Sequence, residues 1–129
     1  MPEGTYVIDF DASAGRAYVI VQGALSAKKI RNTFAAIALN DIWANGDRAV
    51  LWQARRALFP PSFEFADIFK TTQLSKAFTK PGKSAIVVAQ NSEMVKRVAR
   101  FYQSIALTET TRNINVFFDE DAAVAWLDE

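Results

Sequence analysis

The residues with the most chemical potential cluster in one stretch, Trp52-Gln-Ala-Arg55-Arg56-Ala-Leu-Phe59-Pro-Pro-Ser62-Phe63. Two guanidiniums precede a hydroxyl that sits where a helix should begin. Such an arrangement can hold an anion or carry a phosphate, because free N–H groups and the helix dipole favour negative charge there. The plainer reading of Ser62 is an N-cap hydroxyl that satisfies one backbone N–H, worth about 1 kcal/mol, and it is preferred. Phe59 and Phe63 flank the double proline and either pack the loop or form an apolar lip for docking. Trp52 is the aromatic that such a pocket would recruit from the preceding strand. Asp41 is a lone carboxylate within an apolar helical stripe, read as lying beyond the sheet edge or paired with a cation such as Arg48 in preference to a buried functional carboxylate.

The chain has 129 residues and contains neither histidine nor cysteine. That removes the commonest general base, the commonest metal ligand, thiolate chemistry and disulfides. No Gly-rich phosphate loop and no nucleophile–base pair is legible, so a non-enzymatic protein without cofactor or metal is expected. Fifteen basic residues against 14 acidic ones leave a net charge of +1, too little for nucleic-acid binding. Lys28, Lys29 and Arg31, and likewise Lys96, Arg97 and Arg100, read as solvated helix faces. No apolar run is long enough to span a bilayer, and the first residues lack a signal-peptide pattern. A cytoplasmic location is therefore expected.

The elements that position these residues follow from periodicity. Tyr6–Phe10 and Arg16–Gln22 read as strands joined by the turn Asp11–Gly15, an antiparallel hairpin. Gly23-Ala-Leu-Ser26 ends the second strand, and Ser26 caps a helix running to about Asn45, stopped by Gly46. A buried strand spans Arg48–Ala54 and gives way to a loop carrying Arg55 and Arg56. A helix starts at Ser62 and ends before Pro81-Gly82. Ser84–Ala89 is the fourth strand. Asn91 or Ser92 caps a helix whose apolar stripe is Met94, Val95, Val98, Phe101, Tyr102 and Ile105. Ile114–Phe118 is the fifth strand, and Asp119 caps a short helix over Glu120–Leu127. The expectation is one α/β domain over residues 1–129, with four helices and a five-stranded mixed, mostly parallel sheet.

Several of these patterns coincide with a family. Gly23-Ala-Leu25-Ser26 opens a helix after a buried strand, and the chain ends Val116-Phe117-Phe-Asp119-Glu-Asp-Ala-Ala123-Val-Ala-Trp126-Leu127. This resembles the SpoIIAA-like, or STAS-like, bacterial domains, which commonly close with a Val-Phe strand, acidic residues and an Ala-x-x-Trp-Leu helix. The resemblance implies that fold and a regulatory or protein-interaction role. In the anti-sigma-factor antagonists of that superfamily a partner kinase phosphorylates the serine of an Asp-Ser-[Ser/Thr]-Gly motif. Ser62 falls at that serine, while Pro61, Phe63 and Glu64 depart from the motif. The preferred expectation is a partner-binding module acting through Arg55–Phe63 and the following helix start, with a homodimer through an apolar helix surface. Likeness in shape to the CRAL-TRIO lipid carriers implies an alternative: a carrier or sensor of a small apolar or amphipathic ligand, held between sheet and helix.

Overall fold

The computed structural model describes residues 4–11, 16–26, 28–29, 32–33, 36, 49–58, 82–109 and 112–129. Strands β1 (Thr5–Asp11), β2 (Arg16–Ala24), β3 (Val50–Leu58), β4 (Gly82–Val87) and β5 (Arg112–Phe117) form one sheet in the order β1-β2-β3-β4-β5. β1 and β2 pair antiparallel with Thr5 opposite Gln22 and Asp11 opposite Arg16, as a short turn requires. The pairs β2–β3, β3–β4 and β4–β5 are parallel. The expected mixed sheet and opening hairpin are therefore present.

Two helices are described in full: α1 (Glu93–Glu109) and α2 (Glu120–Leu127). The expected helix after Ser26 is seen in part. Lys28, Lys29, Asn32, Thr33 and Ala36 are helical, and the Ser26 hydroxyl accepts from the Lys29 N–H at 3.2 Å, as an N-cap does. The expected helix beginning at Ser62 lies outside the described residues, as do Asp41, Gly46 and Arg48.

Side chains divide by the two-residue strand period into two faces. On the first face Val19, Val50, Trp52, Ile86 and Ile114 meet Val95, Val98 and Ala99 of α1, with Tyr6, Ile8 and Phe10 packed at the margin. On the second face Leu51, Ala85 and Val87 meet Ala123 and Leu127 of α2. Ser92 immediately precedes α1, and its carbonyl accepts the Lys96 N–H at 3.0 Å. Val95 and Val98 of its expected stripe are buried, while Arg97 and Arg100 are exposed.

Two corrections concern the strands. β2 runs on to Ala24 through Gly23, whose φ of 75° is a backbone conformation that suits glycine. β3 runs on to Leu58, so Arg55 and Arg56 lie on a strand and not in a loop. The cause is a bulge. Ile20 pairs with Gln53 but Gln22 pairs with Arg56, so Ala54 and Arg55 together oppose Val21. Two adjacent exposed arginines break the alternation that marks a strand and hide its continuation in the sequence. The beginning of β1 is tight: the Gly4 N–H donates to Ala24 O at 2.8 Å, and a Cβ at Gly4 would stand 2.2 Å from that oxygen.

Candidate functional site at the strand C-terminal rim

β3 outlasts β4. The β3–β4 pairing ends at Gln53 opposite Val87, while β3 continues beside β2 to Leu58 opposite Ala24. The bulge re-aims Arg55 into the space beyond the end of β4. Its backbone N–H donates to Gln53 Oε1 at 3.3 Å, and its guanidinium donates to Phe118 O at 2.8 Å. A residue of β3 thereby reaches the chain just past β5. Arg56 is exposed beside it and sits on the second face, opposite Gln22.

Phe118 is 42% exposed, a large apolar ring on the rim. The Lys96 ammonium, from the first turns of α1, stands 5.8 Å from its ring centroid, within reach of a cation–π contact. Lys96 also pairs with Glu93 at 2.7 Å. That hydrogen bond, foremost, with the positive field of Lys96, Arg97 and Arg100, holds the Glu93 carboxyl below its usual range. The connections after β4 and β5 leave on opposite faces, since α1 covers the first and α2 the second. Open α/β sheets bind at such carboxyl ends, where successive connections diverge.

The lower wall of this rim is polar and fixed. Asp119 caps α2, accepting the Ala122 N–H at 3.3 Å, so the expected cap is present. Glu120 accepts from Gln53 Nε2 at 2.9 Å. Burial, then the Glu120 hydrogen bond and the charges of Glu120 and Asp121, push the Tyr18 phenol up to about 12.

Of the sequence candidates, Arg55 and Arg56 come together on β3. Trp52 is 7% exposed and belongs to the first-face core beside Val50, not to the exposed rim. Phe59, Ser62 and Phe63 lie outside the described residues. Sequence reasoning missed Phe118 and Lys96. The signal for Phe118 was the pair Phe117-Phe118: alternation packs one half-buried ring against Trp126, at 5.7 Å between centroids, and turns the next one out. Lys96 carried a weaker signal, four residues after the Ser92 cap.

The rim offers cations, an aromatic ring and backbone edges, which is a recognition chemistry. Among the described residues no group of three metal-ligating side chains comes together, and no helix is long and apolar enough to cross a membrane.

A five-stranded sheet with an antiparallel first strand, three parallel pairings and an α2 packed back by Ala123 and Leu127 is a SpoIIAA-like fold. The crystal structure of an uncharacterized DUF3478-family protein from Shewanella loihica PV-4, described as having a SpoIIAA-like fold, superposes with a TM-score of 0.62. It covers 98% of this chain and 97% of its own at 15% identity. That degree of likeness speaks to the fold. No protein-family model matches the chain, and no curated protein matches it.

Proposed function

We propose that the chain is a non-enzymatic, STAS-like regulatory domain that binds a protein partner at the C-terminal rim of its parallel strands. The observation that carries this reading is Arg55. A bulge lifts it out of the strand pattern and spans it to Phe118 O at 2.8 Å. Arg56, next in the strand, is exposed, and so is the ring of the Phe118 whose carbonyl Arg55 holds. Bulges are concentrated where a side chain must be aimed for function. Arginine and aromatic residues are also the commonest anchors of protein interfaces. The SpoIIAA-like fold supports the same class of role, and the segment from Phe59 through Ser62 to Phe63 continues directly from this end of β3.

The test is affinity capture from native cells with the wild-type chain, the double variant Arg55→Glu/Arg56→Glu, and Phe118→Ser. Each variant's fold is checked by circular dichroism. The expected result is a defined protein species retained by the wild type and lost from both variants. Equal retention by all three would overturn the rim as the contact surface.

A further inference from the structure

We propose that β1 is the contact strand of a homodimer, pairing antiparallel with β1 of a second copy about a twofold axis at Ile8. The inference goes beyond the rim reading and uses a different part of the molecule. β1 ends the strand order, and β2 satisfies its inner edge along all seven residues, Thr5 to Asp11. Among the described residues no strand pairs with its outer edge. Alternate N–H and C=O groups along that edge point away from β2, and what complements such a row is another extended strand. The devices that usually block a sheet edge are scarce here. The strand has no proline and no lysine, and its register with β2 is unbroken. Its only charges are Asp9 and Asp11.

The strand is its own best complement. For the two sheets to continue with matching faces, the register must keep odd residues opposite odd ones, because a one-residue slip exchanges the faces. Centring on Ile8 uses all seven residues. On the first face it sets Tyr6 against Phe10 twice and Ile8 against Ile8, extending the margin where these three side chains already pack on the core. On the second face it sets Val7 against Asp9 and Thr5 against Asp11, so no carboxylate opposes another. A centre at Asp9 would place Asp9 against Asp9, and a centre at Val7 would shorten the overlap to Thr5–Asp9. Full overlap and charge together select Ile8. The same pairing brings Val7, 61% exposed beside its partner Ile20, next to the second copy and reduces its exposure.

Sedimentation equilibrium of the full chain tests this with substitutions at the exposed positions Val7 and Asp9. The wild type is expected to show a concentration-dependent monomer–dimer equilibrium. Val7→Asp faces Asp9 of the second copy at two symmetry-related places and is expected to raise the dimer Kd about tenfold. Val7→Lys makes the same contacts attractive and is expected to keep or tighten the dimer. The double variant Val7→Asp/Asp9→Lys is expected to restore it. Amide hydrogen exchange gives a second readout: protection of alternate β1 amides should rise with protein concentration. A monomer at every concentration would overturn the proposal, as would a dimer on which Val7→Asp and Val7→Lys act alike. Arg55→Glu/Arg56→Glu should leave the equilibrium unchanged, so failure at the rim and failure at the edge are distinguishable.

Discussion

The second face of the sheet has two halves that are built differently. Over β3, β4 and β5, Ala123 and Leu127 of α2 seal Leu51, Ala85 and Val87. Over β1 and β2, Val7, Asp9, Ile20 and Gln22 are exposed. The reason is dimensional. An eight-residue helix is about 12 Å long and about 10 Å wide, while strands repeat at about 4.8 Å. One such helix covers two or three strands, so it meets β2 at Arg16 and Tyr18 and leaves the rest of the hairpin's second face open. The open half accordingly carries polar residues at Thr5, Asp9, Asp11 and Gln22, the alternation of a half-solvated antiparallel pair. Stability should therefore reside in the covered half and contact in the open one. Leu127→Ala should cost about 2–4 kcal/mol, since it empties a buried site. Ile20→Ala should cost less than about 1 kcal/mol, because Ile20 is 36% exposed. Urea unfolding of both variants decides it; equal losses would break the comparison.

The covered half is sharpened by how α2 is held. The helix has no basic residue in its last turn, so the sheet supplies the cations. Arg16 of β2 pairs with Asp128 and donates to Leu127 O at 3.1 Å. Lys83 of β4 donates to Trp126 O at 3.1 Å and to Glu129 O at 3.2 Å, with its ammonium 5.2 Å from the Trp126 ring centroid. Two strands flanking β3 thus neutralise the negative end of one helix dipole. Arg16→Ala and Lys83→Ala should each lower stability by about 1 kcal/mol, measured by urea unfolding. The double variant should depart from the sum of the two, since both cations grip neighbouring groups at one helix end.

α2 shows how much of this was legible. Asp119 as cap, the short helix after it and a strand closing on the Phe117-Phe118 pair are all local patterns, and each was readable, although β5 ends at Phe117, one residue before the expected Phe118. The clamp was not, because Arg16 and Lys83 reach α2 from far away in sequence and look like ordinary strand-start cations. The hairpin and the parallel order were readable from apolar runs and turn residues. The rim was half readable. Arg55 and Arg56 were singled out, but the bulge that places them on β3 depends on the register with β2, which no local pattern encodes. Phe118 was passed over because a Phe-Phe pair at a strand end looks uniformly apolar until the sheet faces are assigned.

Tyr18 stands at the boundary between the two halves and gives a smaller, pH-dependent effect. Its phenol is raised from 10.0 to about 12, with burial as the leading cause. A raised folded value means that the neutral phenol is favoured in the folded protein. The stabilisation is fully present below pH 10 and is lost as pH rises through about 12. Its size should be on the order of 1 kcal/mol or less, because the phenol is only partly buried and the charges around it are screened by solvent. Unfolding free energy followed across that alkaline window should fall for the wild type and stay flatter for Tyr18→Phe. Coincident profiles would show that neither burial nor the Glu120 and Asp121 carboxylates raise the phenol.

The smallest expected stability effect is at Arg55, and its size separates two bonds of the same chemical kind. Arg16 and Arg55 each donate a guanidinium hydrogen bond to a backbone carbonyl, Arg16 to Leu127 O near the end of α2 and Arg55 to Phe118 O just before its start. Arg16 has a side chain only 19% exposed and lies at the negative end of the helix dipole. Arg55 is exposed and lies toward the positive end, where a cation gains nothing from the dipole. Arg55→Ala should therefore change urea unfolding by less than about 0.5 kcal/mol, well below Arg16→Ala. A bulge kept for packing would show the opposite order. If Arg55→Ala costs little stability yet abolishes partner retention, the bulged arginine is held for contact and α2 is held by the clamp at its other end.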